Sequence, residues 1–311
     1  MRDQRLTGIV VISLASLLWG STGTAASFAE NVSPLAIGAA ALGIGGLLQA
    51  LIAIPGMRAA IPNLRAYSRI VAVGSIAVTL YPLAFYTSMH LSGVAIGTVV
   101  TLGSAPLASG VLEKVVDGFT LSRWWVLAAV IGATGSILLC FSRLGSETGE
   151  LWPTIFGIVL GLVGGACYAV YSWAAHALMQ RGIPRAAAMG SVFGGGGIML
   201  MPVLLLTGAP LLATATNFRV AAYLALIPMF LGYVLFGMGL ARVSASMATT
   251  LTLSEPAVAA ILAVVIVGER LSAIGWIGLA MIAAVMVMLA LIPPVEHVLP
   301  RATKEPYLVE A

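Results

Sequence analysis

Residues 94–123 read VAIGTVVTLGSAPLASGVLEKVVDGFTLSR, and residues 244–273 read SASMATTLTLSEPAVAAILAVVIVGERLSA. Laid over one another at an offset of 150, Ala95 meets Ala245, Ser104 meets Ser254, Pro106 meets Pro256 and Leu112 meets Leu262. Further along, Val115, Gly118, Leu121 and Ser122 meet Val265, Gly268, Leu271 and Ser272. Two apolar stretches share Ala and Leu by chance, but a proline, a glycine and two serines in register mark an internal repeat. At a nearby offset, Trp19 meets Tyr168.

The rest of the chain says what kind of repeat this is. It has 311 residues, 60% hydrophobic and only 8% charged, with a mean hydropathy of +1.06. Soluble domains run at roughly 45–50% apolar and about 25% charged, so a soluble enzyme, a nucleic-acid binder and a disordered chain are excluded. Charges, prolines and polar clusters divide the sequence into apolar segments of the length that a spanning helix needs, about 20 residues. They are Leu6–Ser27, Leu35–Ile54, Arg69–Met89, Val94–Leu112, Trp124–Ser142, Pro153–Ala175, Ala186–Thr207, Val220–Leu240, Ser244–Val267 and Ala273–Ile292. Joints as short as His90–Gly93 and Ala241–Val243 force their flanking spans to be antiparallel. Cys140 and Cys167 both fall in apolar runs, which predicts buried thiols and no disulfide framework.

The expected fold is therefore an all-α integral membrane protein of ten helices in two copies of five, 1–145 and 146–292, with a tail from 293 to 311. Five is odd, so the second copy enters the membrane inverted. Arg2, Arg5, Arg58, Arg65, Arg69, Lys114, Arg123, Arg181, Arg185, Arg242, Arg301 and Lys304 fall on one side, against Arg143, Arg219 and Arg270 on the other. That asymmetry places both termini in the cytoplasm. Trp124, Trp125, Trp152 and Trp276 fall at span ends, where interfacial aromatics belong. Arg2 and Arg5 before an apolar run resemble a signal peptide, but the run exceeds twenty residues and contains Trp19, which favours a retained first span.

Inverted repeats characterise secondary transporters, whose substrate site lies near the midplane between the copies. Glu255 is the carboxylate at that depth, in Leu253-Ser254-Glu255-Pro256. An isolated ionised carboxylate there costs at least about 2.5 kcal/mol. It is either a proton-coupling or substrate-amine group facing a wet cavity, or a neutral acid bonded to Thr252 one turn back. Pro106 and Pro256 remove backbone donors and release the carbonyls of Leu102 and Thr252, sketching a symmetric polar site; the alternative is a plain pair of kinks. Pro82 and Pro228 invite the same two readings.

Aromatics too deep for the interface form a third set: Trp19, Tyr81, Tyr86, and Tyr168 with Tyr171 three residues on. A tyrosine hydroxyl facing lipid would be unpaired, so these point inward, either to stack on a substrate or to pack helices together. With Thr101, Thr252 and Ser254, they complete the candidate cavity residues. Gly157, Gly161 and Gly165 have the spacing of close helix packing, and the run Gly194–Gly197 reads as close packing or a hinge. His90 and His176 lie at span ends, too far in depth from Ser104 and Ser254 to pair with them as in a hydrolase. No span carries Lys or Arg at its middle, which disfavours phosphate-ester substrates. No metal-ligand cluster and no nucleotide-binding motif is present in the sequence, so no metal or cofactor is expected.

Ten spans as two copies of five, the Trp19-Gly20 pair, and a repeated proline followed twelve residues later by glycine resemble the EamA branch of the drug/metabolite transporter superfamily. The second copy reads Gly268-Glu269, the usual ending; the first departs with Gly118-Phe119. Within that branch, the chain is most similar to YddG-type inner-membrane exporters of aromatic and other amino acids. The resemblance implies alternating access around a site drawn from the first, third, fourth, sixth, eighth and ninth spans. Ten spans can enclose a cavity alone, which predicts a monomer; the resemblance implies the inner membrane, with the bilayer and a small-molecule substrate (amino acids or organic cations) as partners and no nucleic acid. An organic-cation or multidrug exporter of the same superfamily is the alternative, and a channel a more distant one.

Overall fold

Ser33, Thr214 and Ser244 set the starts of three spans. Each adopts extended backbone and accepts a hydrogen bond on its side chain, from Ala36 N–H, Asn217 N–H and Met247 N–H respectively, so the first turn keeps fewer unpaired donors. Gly93 makes the tightest joint, between the third and fourth spans, at φ 87°, a conformation that glycine adopts without penalty.

The structure is a computed structural model that describes residues 2–118, 122–141, 151–262 and 272–291. The described residues are helical apart from short joints, with no strand among them. Seven helices are long and apolar enough to cross a membrane: Asp3–Ala26, Pro34–Ala59, Ser68–Ser92, Ile96–Val116, Leu151–Gln180, Arg185–Thr207 and Ala215–Leu240. Arg123–Phe141, the broken pair Ala245–Leu251 and Ser254–Leu262, and Ala273–Leu291 supply the remaining three segments of the ten. Gly268-Glu269, the loop charges around Arg143, and the tail from 293 lie outside the described residues.

The helices pair as an internal two-fold predicts. The third span packs on the sixth and the first on the eighth; the second packs on the seventh and the fifth on the tenth. Exchanging each span for its counterpart five places along maps this pattern onto itself. With five crossings per copy, the two halves are inverted relative to one another. Glycines permit the closest crossings. A Cβ on Gly165 would come 2.7 Å from the Thr101 carbonyl oxygen of the fourth span, and one on Gly197 would come 2.8 Å from the Gly43 carbonyl oxygen of the second. The glycine runs of the sixth and seventh spans are thus close-packing surfaces.

Three expectations need correction. The second span does not stop at Ile54 but runs through Pro55 to Ala59, because one missing hydrogen bond near an exposed helix end does not break the helix. Trp125 is not a belt residue like the exposed Trp124, Trp152 and Trp276; its ring lies against Gly110 of the fourth span. The symmetric proline pair also resolves asymmetrically. The fourth span is continuous through Pro106 from Val94 to Val116, whereas the ninth breaks at Thr252-Leu253. The Thr252 carbonyl is not released there, since Glu255 N–H reclaims it in a tighter turn at 2.9 Å.

Two wide π-turns, Ala39–Ile44 in the second span and Ala225–Leu231 in the eighth, pack against each other. A Cβ on Gly45 would sit 2.8 Å from Met229 Cβ and 3.2 Å from the Ala225 carbonyl oxygen, so glycine is what lets the two turns meet. A π-turn holds one residue more than an α-turn and loosens the carbonyl ladder. Two side chains cap the result: Trp19 Nε1–H donates to the Pro228 carbonyl at 2.8 Å, and buried Gln49 Nε2–H donates to the Phe230 carbonyl at 2.9 Å.

Candidate functional site

The π-turn of the eighth span determines what faces the middle of the molecule. In the third span Tyr86 follows Pro82 by four residues, one α-turn; in the eighth Tyr233 follows Pro228 by five, one wider turn. Both tyrosines thereby join one buried cavity with Trp19 and Thr22 of the first span, Tyr168 of the sixth and Glu255 of the ninth. Leu42, Tyr81, Pro82, Phe85 and Met229 close its walls. Its volume is about 10 Å³, roughly what one water molecule requires, so the helices must part before any metabolite can enter.

The walls belong to a continuous aromatic cluster. Tyr168 stacks on Tyr171 at 5.1 Å between centroids, Trp19 tilts against Tyr233 at 4.8 Å, and Phe193 meets Tyr233 at 4.5 Å. Tyr81 stacks on Phe85 at 5.7 Å and touches both Tyr168 and Tyr171. Contacts of this kind contribute about 0.5–1.5 kcal/mol each beyond burial of area, so the cluster ties the first, third, sixth, seventh and eighth spans together.

Hydrogen bonding separates architecture from unspent chemistry. Tyr168 Oη–H donates to Thr252 Oγ1 at 3.0 Å, and Thr252 Oγ1–H passes on to the Thr249 carbonyl at 2.8 Å. Tyr171 and Tyr233 share a hydroxyl–hydroxyl bond of 2.7 Å. Glu255 differs: no hydrogen bond reaches its carboxylate from any described residue. The Thr252 hydroxyl is committed elsewhere, so the reading of Glu255 as an acid tethered to Thr252 does not hold. Among the described residues no lysine or arginine lines the cavity, and no cluster of three or more His, Cys, Asp or Glu could bind a metal.

Of the residues singled out from the sequence, Trp19, Tyr81, Tyr86, Tyr168 and Glu255 line the cavity. Tyr171 and Thr252 stand one contact behind it, through Tyr233 and Tyr168. Thr101, Pro106, Ser254 and Pro256 do not reach it. Thr101 faces Gly164 of the sixth span, and Ser254 turns outward into a groove with Ile9, Val10 and Met286 while bonding the Leu251 carbonyl at 2.8 Å. The fourth span, expected at the site, contributes no lining residue, and the second takes its place through Leu42. Thr22, Leu42, Phe85, Met229 and Tyr233 also line the cavity, without a signal in the sequence that singles them out. Tyr233 was detectable only by allowing one inserted residue after Pro228 when aligning it to Tyr86.

Comparison with known proteins agrees with this architecture. The model of the EamA-like transporter family matches the chain twice, over residues 6–141 and 155–291. An uncharacterized transporter, YwfM of Bacillus subtilis (strain 168), is 32% identical over 284 residues, covering 91% of this chain and 93% of the relative. A crystal structure shares the fold at a TM-score of 0.72 and 18% identity, covering 90% of this chain and 95% of that one. With both halves matched and the five-plus-five helices in place, this chain belongs to the EamA-like transporter family.

Proposed function

We propose that this transporter exports amino acids, aromatic ones included, across the bacterial inner membrane by alternating access around the central cavity. Both termini lie in the cytoplasm in this reading, because of the one-sided distribution of Lys and Arg. The functional units are residues 1–145 and 146–292, working within one monomer and without catalysis of a covalent reaction. One observation carries the substrate assignment: a buried, aromatic-walled cavity holds the carboxylate of Glu255, with no hydrogen bond to it and no fixed cation beside it among the described residues. Such a site suits a small molecule with an ammonium group and an apolar or aromatic body, and disfavours phosphate esters. The same observation supports a second reading, a lipophilic organic cation.

Uptake of radiolabelled Phe, Thr and Lys into proteoliposomes, with and without an imposed pH gradient, tests the proposal. Saturable uptake that accelerates with the gradient is the expected result. Transport of a lipophilic cation with no uptake of any amino acid would establish the second reading in its place.

A further inference from the structure

Besides Glu255, two fully buried groups facing the cavity have no hydrogen-bond partner among the described residues. Thr22 Oγ1 and Tyr86 Oη are buried and without a hydrogen-bond partner, and their residues are only 4% and 5% exposed. The carbonyl one turn before Thr22, that of Leu18, already accepts from Ser21 N–H at 3.3 Å and from the Ser21 hydroxyl at 2.6 Å. The Tyr86 ring is wedged against Phe85 at 5.3 Å between centroids. On its other side a Cβ on Gly38 would lie 3.1 Å from Tyr86 Cδ2, so the second span backs the ring directly. Thr101, Ser109, Ser136 and Ser172 also carry unpartnered hydroxyls, but none of them lines the cavity.

We infer that Thr22 and Tyr86 are a substrate-reading pair: their hydroxyls donate to the carboxylate of a zwitterionic α-amino acid whose ammonium group is held by Glu255. This rests on the reading of the cavity as an amino-acid site and adds how it tells an amino acid from an amine. Among its described residues the lining offers one acid, no base and the unbonded hydroxyls of Thr22, Tyr81 and Tyr86, those of Thr22 and Tyr86 being fully buried. A substrate carboxylate can therefore be held there only by neutral donors, and it has lone pairs for both. An amine without a carboxylate spends Glu255 and leaves both hydroxyls unpaired. A carboxylic acid without an amine brings its charge against that of Glu255. Only the zwitterion satisfies all three groups, and sites that hydrogen-bond a substrate group discriminate strongly against analogues that lack it.

Thr22→Val and Tyr86→Phe delete the hydroxyls and keep the shapes. Proteoliposome uptake of phenylalanine, competed with phenethylamine and with 3-phenylpropionate, reads the effect. In each variant the KM for phenylalanine should rise about tenfold, the cost of one lost hydrogen bond to a charged group, with competition by phenethylamine unchanged. The thermal midpoint in detergent should be unchanged or higher, since an orphaned hydroxyl has been removed; a purely structural role would lower it. Wild-type uptake of phenylalanine with an unaltered KM in both variants overturns the pair and leaves the export reading standing. Wild-type protein inert to phenylalanine, threonine and lysine alike overturns the export reading and the pair with it.

Discussion

Glu255 takes its meaning from the turn that carries it. The break at Thr252-Leu253 lets Glu255 N–H close a tight turn onto the Thr252 carbonyl, which leaves the side chain to the cavity and to no partner there. In the alternating access proposed above, a carboxyl group so placed can gain and lose a proton as the cavity changes sides, and glutamine cannot. Glu255→Gln should thus remove acceleration of uptake by a pH gradient while counterflow of substrate persists at reduced rate. Equal acceleration in variant and wild type would take Glu255 out of the coupling. Glu255, Trp19 and the inward tyrosines were legible from sequence because charge and polar aromatics stand out against hydrocarbon. Thr22 was not, since a threonine near a span end is ordinary until its carbonyl partner is seen to be taken by Ser21. Thr101, Ser254 and Pro256 lie away from the cavity, since a position in sequence gives depth in the membrane but not the face of the helix.

Among the elements, the paired π-turns are what sequence reading could not supply. Pro82 and Pro228 look equivalent in the sequence, yet the third span stays α-helical while the eighth widens over Ala225–Leu231. The extra residue depends on partners in other spans: Gly45 for clearance, Trp19 and Gln49 to cap the loosened carbonyls. Both caps act on one wide turn, so their loss should not add. Trp19→Phe and Gln49→Met each leave a buried carbonyl unpaired and should cost about 1–3 kcal/mol. The double variant should depart from the sum of the singles by at least about 0.5 kcal/mol, as groups sharing one element do. Thermal unfolding of the three purified variants measures the cycle, and strict additivity would mean that the two bonds hold independent structures.

At the scale of the whole molecule, the repeat read from Pro106 and Pro256 reappears as helix pairs related by exchange of the two halves. That much was legible because proline, glycine and serine keep register where Ala and Leu drift. How the halves meet at their ends was not. At the end that holds Arg2, the first span of one half is pinned to the joint between the eighth and ninth spans of the other. Arg242 Nε–H donates to Gln4 Oε1 at 3.2 Å and its guanidinium also bonds the Met238 carbonyl. Glu113 Oε1 of the fourth span accepts from Ser246 N–H at 3.1 Å. The alternating access proposed above predicts that these contacts part once per cycle. A Cβ on Gly8 would lie 3.1 Å from Arg242 Cβ, within a few tenths of the roughly 3.5–4.5 Å of a disulfide. Gly8→Cys with Arg242→Cys, in a background of Cys140→Ala and Cys167→Ala, therefore staples this end shut. Oxidised protein should fall to background uptake in proteoliposomes, and dithiothreitol should return it to the rate of the reduced double variant. Full uptake with the staple formed would show that the first span and this joint travel as one body, so that the cycle opens elsewhere in the molecule.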